Sequence, residues 1–227
     1  AELIETGADI LFFWCAKMLM MGNYIYKNQE LLGLRINSKY PFYNIYLHGI
    51  IRDKDGKKMS KSLGNGIDPL DLIKEYGSDS LRLFLATRTG PAEDILFDIE
   101  ALKYTKQFMN KIWQSSRFLS IYAQKAQLLK LDENLLSFDC NELDEIQNYF
   151  CNLMSSFKFI EAATYIQNKY KHWFCDTWIV ENKGLIHQLD NDTIIKGLFI
   201  LDQMLSMINN FCPAICFEIK SNFYESF

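Results

Sequence analysis

No CxxC pair and no zinc-like ligand spacing occurs in the chain, although it carries six cysteines, Cys15, Cys140, Cys151, Cys175, Cys212 and Cys216. This absence excludes a redox dithiol and predicts no structural zinc. It leaves free, mostly buried thiols of a reducing cytosol as the simplest reading. Cys212 and Cys216 stand at helical i,i+4 spacing without two further clustered ligands, so they read as structural. No apolar run is long and unbroken enough to span a bilayer; the longest, over 10–21 and 198–208, fall short of the roughly 20 residues required. No signal peptide is read in the sequence, and the expectation is a cytoplasmic protein without a leader or a membrane partner. There is no excess of basic charge: the net charge is −4, which by itself does not suggest nucleic acid. There is no internal repeat and no low-complexity segment. A start at Ala1, without an initiator Met and in mid-fold, predicts an excised piece of a longer protein.

Apolar residues are plentiful. They make up 49% of 227 residues, with 15% aromatic, enough for one or two domains with a sizeable core. Residues 1–5 read as the end of a buried strand, Thr6 as the N-cap of a helix over 7–26, and 27–42 as a polar loop. The aromatic and β-branched stretch 43–51 reads as a second strand. Strand, helix, strand in this order predicts a βαβ crossover in a parallel sheet. From Asp68 the pattern turns helical, with Pro69 in the first turn after an Asp cap, and two short helices, 70–76 and 79–87, split by Gly77. Thr89-Gly90-Pro91 marks a break. From 98 onward the periodicity is helical with no strand signal, giving helices at 98–124, 141–155, 158–182 and 192–210. The fold class is therefore α/β followed by all-α.

Between the second strand and Asp68 lies Gly56-Lys57-Lys58-Met59-Ser60-Lys61-Ser62-Leu63-Gly64-Asn65-Gly66. Lys58 and Lys61 put two hydrated point charges on flexible stems. Such groups suit a triphosphate whose charge shifts as one bond forms and another breaks. Ser60 and Ser62 can donate to phosphate oxygens, and the glycines allow backbone angles other residues resist. A Lys/Ser/Gly loop taken alone is more often a solvated hairpin tip. Ligands of open α/β folds bind beyond the C-terminal ends of the strands, which is where this loop falls.

The order of residues resembles the KMSKS loop of class I aminoacyl-tRNA synthetases. Its context, Pro41-Phe42, Tyr46-Leu47-His48-Gly49, Arg52-Asp53 and Ile67-Asp68-Pro69-Leu70-Asp71, resembles the valyl members, as does Thr6-Gly7-Ala8-Asp9-Ile10-Leu11-Phe12-Phe13-Trp14. Trp173-Phe174-Cys175-Asp176 and Phe211-x-Pro213 resemble the helical anticodon domain of the group. The His-Ile-Gly-His motif of the family is absent, as is its editing domain. Asn209-Asn210 stands where the family usually has His-Pro, and Phe217-Glu218-Ile219-Lys220 where Glu-Glu-Ile-Trp is common.

The resemblance implies a partial Rossmann-type nucleotide-binding fold with the loop (1–66), connecting helices (67–97) and an α-helical bundle anticodon-binding domain (98–227). It implies valine–tRNA ligase activity in a monomeric parent, with L-valine, ATP carrying Mg2+, and tRNA(Val) as substrates, and an inactive isolated chain. Lys58 and Lys61 would be catalytic; His48, Gly49, Met59, Ser60, Lys61 and Ser62 would contact ATP; Ile10 and Trp14, one helical turn apart, would line the valine pocket. Two alternatives stay open: a non-catalytic RNA-binding module, and a piece of an isoleucyl- or leucyl-type synthetase. Without the resemblance, Ile10 and Trp14 would read as plain core residues, and His48 as a structural histidine.

Charge is segregated in the second half. Lys103, Lys106, Lys111, Arg117 and Lys125 fall on one face of a helix, with Phe108, Ile112 and Leu119 opposite. The first four form a candidate tRNA-binding rail, since phosphate neutralisation supplies sequence-independent affinity; a solvated helix face is the plain alternative. Residues 132–145 carry acids only and would face away from RNA. Asp79 and Arg82 are expected to fix the helices after the loop. Tyr170, His172, Trp173 and Trp178 could stack on RNA, although aromatics at helical spacing are more often core.

Overall fold

The computed structural model describes residues 1–60, 64–128 and 140–224. It divides into two compact units, Ala1–Gly66 with Thr89–Phe97, and Ile67–Arg88 with Asp98–Phe227. The stretch 67–97, expected as connecting helices, is thus shared: its helices join the second unit and its last nine residues return to the first.

The first unit is built on β1 (Leu3–Gly7) and β2 (Asn44–His48), paired parallel in the register Leu3↔Asn44 to Gly7↔His48. Between them runs the expected crossover helix, but not as one regular helix from an N-cap at Thr6. Thr6 lies inside β1, and Gly7 takes the cap position without a side-chain hydrogen bond. A 3-10 turn (Ala8–Ile10) passes into a π-helical turn (Leu11–Cys15) and only then into α1 (Ala16–Lys27). A second parallel pair, β3 (Ile51–Arg52) with β4 (Ile95–Leu96), was not foreseen, because two-residue strands leave no periodic signal. Among the described residues of this unit the buried apolar side chains are Cys15, Phe42 and Ile95.

The second unit is helical throughout its described residues. Asp68 accepts from Leu70 N–H and caps α2 (Pro69–Tyr76), with Pro69 in the first turn. Gly77, at φ +88°, makes the break before α3 (Ser78–Ala86), a conformation side chains resist. Asp98 caps α4 (Ile99–Lys125), whose buried face, Leu102, Thr105, Phe108, Met109, Ile112, Ser116, Leu119 and Ala123, follows the helical period. Then come α5 (Asn141–Ser155) and α6 (Phe159–Asn168). The helix expected to end at 182 instead passes through a ten-residue π-helical stretch, Lys169–Trp178, into α7 (Ile179–His187). The Thr177 hydroxyl donates to the carbonyl five residues back, His172 O, at 2.9 Å. Wider turns of this kind are not written in a 3.6-residue pattern. Last come α8 (Asn191–Ile208), whose fully buried side chains include Ile194, Ile200, Leu201, Met204 and Leu205, and α9 (Pro213–Ile219).

Candidate active-site loop

Parallel pairing brings Gly7 and His48 to the same edge of the β1–β2 sheet. His48 Nδ1 donates to Gly49 O at 2.7 Å; a carbonyl only accepts, so Nδ1 carries a proton in this contact. A Cβ on Gly7 would fall 2.7 Å from Asp9 Oδ1, so the missing side chain makes room for that carboxylate; His48 Cε1, at 3.8 Å, would be in ordinary contact. Gly49 was expected to contact ATP, which would need a bare backbone there. The structure gives another reason: a Cβ there would sit 1.8 Å from Glu93 O, so the close approach is that of the 93–94 backbone.

From this edge the chain enters a hairpin. Arg52 and Lys58 face each other in an antiparallel bridge, closed by Asp53 N–H to Lys57 O and Gly56 N–H to Asp53 O, each 3.0 Å, with Gly56 at φ +76°. Arg52 Nε bonds Asp94 Oδ2, and one of its terminal nitrogens donates to Gly56 O. Asp94 Oδ1 accepts from Ile50 N–H at 2.9 Å. The Ile50 amide, and then Arg52, hold the Asp94 carboxyl below the usual carboxylate range. The hairpin is therefore anchored at its base to the 93–96 segment, which sequence reasoning left unread.

Asp53 and Asn65 tie the two arms. Asp53 Oδ1 accepts from Asp55 N–H and Lys57 N–H, and Oδ2 accepts from Asn65 Nδ2 at 2.7 Å. Asn65 Nδ2 also donates to Lys58 O at 3.3 Å, while Asn65 Oδ1 accepts from Ser60 N–H at 3.0 Å. The Asn65 bond is the main cause, and the Lys57 amide the second, of a lowered Asp53 pKa. Lys58 Nζ lies 3.7 Å from Asp9 Oδ2, with both side chains more than half exposed. Of the residues expected to contact phosphates or nucleoside, His48 and Gly49 lead into the first arm of the hairpin and Lys58, Met59 and Ser60 stand on the returning arm; Lys61 and Ser62 lie outside the described residues.

Ile10 and Trp14 do not share a regular α-helix, since one closes the 3-10 turn and the other lies in the π-helical turn. Neither is core: Ile10 is 46% and Trp14 58% exposed, beside exposed Phe12 and Phe13.

In the helical unit the basic face of α4 is present but engaged. Lys103 pairs with Glu100, Lys106 donates to Glu75 O, and Lys111 pairs with Asp176, each at 2.7 Å. Arg117 is exposed, and Lys125 lies over the Tyr122 ring. Tyr170 is fully buried, with Trp173 and Trp178 packed against the core and His172 exposed beside Asp176. Asp79 and Arg82 secure α3: Asp79 Oδ2 accepts from Ile215 N–H in the first turn of α9, and Arg82 Nε donates to Phe211 O. Buried Cys212 and Cys216 serve packing; desolvation raises both thiol pKa values, that of Cys216 to about 12. Among the described residues no three His, Cys, Asp or Glu side chains are grouped to hold a metal, and no helix is long and apolar enough to cross a membrane.

Residues 1–98 match the family model described as tRNA synthetases class I (I, L, M and V). Over 95–96% of its length the chain is 33% identical to a valine–tRNA ligase of Bacillus subtilis, 35% to one of Fusobacterium nucleatum and 35% to one of Enterococcus faecalis. It spans about a quarter of the length of these relatives. A solved structure that titles itself a ternary complex of Agrobacterium radiobacter K84 agnB2 LeuRS with tRNA and LeuAMS superposes with a TM-score of 0.73. That match covers 97% of this chain and 27% of the other, at 19% identity, and speaks to the fold alone. The chain belongs to the class I tRNA synthetases (I, L, M and V), and over nearly its whole length its curated relatives are valine–tRNA ligases.

Proposed function

We propose that the chain is the loop-bearing part of a valine–tRNA ligase: a segment of the Rossmann-type catalytic domain followed by the helical anticodon-binding domain. The reaction is activation of L-valine by ATP and transfer to tRNA(Val). A valine carboxylate oxygen attacks the α-phosphorus, the bond from that phosphorus to the bridging oxygen breaks, and pyrophosphate leaves with the electron pair. Lys58 and Lys61 offset the charge that develops on the leaving group, with Met59, Ser60 and Ser62 lining the same phosphates and His48 and Gly49 beside the nucleoside. The protein's work is to position groups and stabilise charge. Mg2+ arrives with ATP as part of the substrate.

The observation that carries this reading is the Lys58–Ser60 arm, rising from the sheet edge in a chain related to valine–tRNA ligases. Ile10 and Trp14 supply the valine wall. A pocket of this kind separates side chains differing by one methylene by about 1–3 kcal/mol. Along α4, Lys103, Lys106, Lys111 and Arg117 meet tRNA phosphates. The exposed ion pairs that Lys103 and Lys111 now hold are worth little, about 0–1 kcal/mol, so exchanging them for phosphates is cheap.

Valine-dependent ATP–pyrophosphate exchange by the longer protein that carries this chain tests the reading. Lys58→Ala is expected to slow exchange at least about 100-fold while valine binding stays near normal, because the charge acts on the leaving group. Unchanged exchange would sink the assignment.

A further inference from the structure

We propose that Asn65, acting with Asp53, is a positioning residue of this site: its side-chain amide sets where Lys58 and Ser60 meet the leaving pyrophosphate. The inference rests on the catalytic reading above and adds a residue to it. The Asn65 amide is nearly saturated by groups that leave no ambiguity in its orientation. Carboxylate and carbonyl oxygens only accept, so the nitrogen faces Asp53 Oδ2 and Lys58 O; a backbone amide only donates, so the oxygen faces Ser60 N–H. One side chain thus holds the backbone on both sides of Met59 and fastens it to Asp53. Asp53 is in turn fixed by the amides of Asp55 and Lys57 on the opposite arm. Gly64, at φ +66°, turns the chain so that Asn65 can reach back across the loop, a conformation open to glycine at little cost.

The Lys58 stem is flexible, so its ammonium is placed only as well as its Cα is placed. Without the Asn65 bonds, Lys58 keeps its bridge to Arg52 but its carbonyl loses the Asn65 amide, and the Ser60 amide loses the Asn65 carbonyl. A loop of this kind retains its fold and loses its aim. Misplacement by about 1 Å costs on the order of 100-fold in rate where catalysis depends on orientation.

The test uses pyrophosphate exchange in the longer protein, with Lys58→Ala as the reference. Asn65→Ala is expected to lower kcat by about 100-fold with KM for valine within about twofold, and to add little when combined with Lys58→Ala, since both changes remove the same charge from the same place. Asn65→Asp sets a carboxylate against Asp53 and should be as slow. Adding Asp53→Asn to it restores a donor–acceptor pair across the loop and should recover on the order of tenfold. Near-normal kcat in Asn65→Ala, full additivity with Lys58→Ala, or no recovery in the exchanged pair would each overturn the proposal. If Lys58→Ala is itself silent, the catalytic reading fails; if Lys58→Ala is slow and Asn65→Ala is not, only the positioning role fails.

Discussion

The two units solve the same problem of burial in opposite ways. The helical unit closes on itself: α4 and α8 contribute faces of fully buried side chains, and Phe108, Tyr170 and Phe174 meet edge to face at centroid distances of 5.3–5.8 Å. The sheet unit buries few apolar side chains and displays many, Phe12 at 77%, Met20 at 72%, Phe13 at 66% and Trp14 at 58% exposure. The candidate chemistry sits in the second kind of structure, held by hydrogen bonds among Arg52, Asp53, Asn65 and Asp94 rather than by apolar packing. Polar bracing of that sort fixes a loop's geometry while contributing about 1 kcal/mol per bond to stability. Regions with few buried contacts are those that open first.

The sharpest contrast is between two aromatic truncations, read by urea unfolding of the chain. Phe108→Ala removes a side chain 2% exposed and should cost about 3–5 kcal/mol. Trp14→Ala removes one 58% exposed and should stay within about 0.5 kcal/mol, while in the longer protein it raises KM for valine and relaxes selection against larger side chains. A large stability loss from Trp14→Ala would make it a core residue and erase the contrast.

An intermediate effect is expected at Asp79. Its carboxylate serves the first turn of α9 from another helix, and Asp79→Ala should cost about 1–2 kcal/mol in the same assay. A smaller effect belongs to Asp53. Its pKa is lowered in the folded chain, so its contribution is present above the ordinary carboxylate pKa of about 4 and is lost as pH falls through the lowered value. Protection of the Lys57 amide against hydrogen exchange, corrected for intrinsic rate, should stay level from about pH 8 to 5 and fall only in stronger acid. A decline beginning near neutrality would mean that another group holds the hairpin. A small effect is also expected of Lys111→Gln, which breaks an exposed pair with Asp176 and should change stability by at most about 1 kcal/mol.

What was legible in the sequence follows the same division. The period of Phe108, Ile112 and Leu119 marked α4 to within a residue, and Asp68-Pro69 marked the start of α2, because burial and capping are local patterns. The π-helical stretches at Leu11–Cys15 and Lys169–Trp178 broke that period and were not seen. In the site the lysines were legible as charges in a glycine-bounded loop. The structure that holds them was not. Asn65 reaches Asp53 across twelve residues, Arg52 reaches Asp94 across forty-two, and Gly49 is required by a backbone segment far along the chain. The α4 lysines showed the limit from the other side. Their positions were readable, but the acid that meets Lys111, Asp176, and the carbonyl that meets Lys106, that of Glu75, come from other helices.

The cysteines allow both units to be read in one experiment. Cys15 is buried in the sheet unit; Cys212 and Cys216 are buried in the helical unit, with thiols pushed up by desolvation; Cys151 is exposed. Site-resolved thiol labelling of the chain across a urea series should show Cys151 reacting at once and Cys15 becoming reactive next. Cys212 and Cys216 should follow only at clearly higher urea. Simultaneous exposure of Cys15, Cys212 and Cys216 would contradict the account, because the loop-bearing unit would then be as firmly held as the helical core.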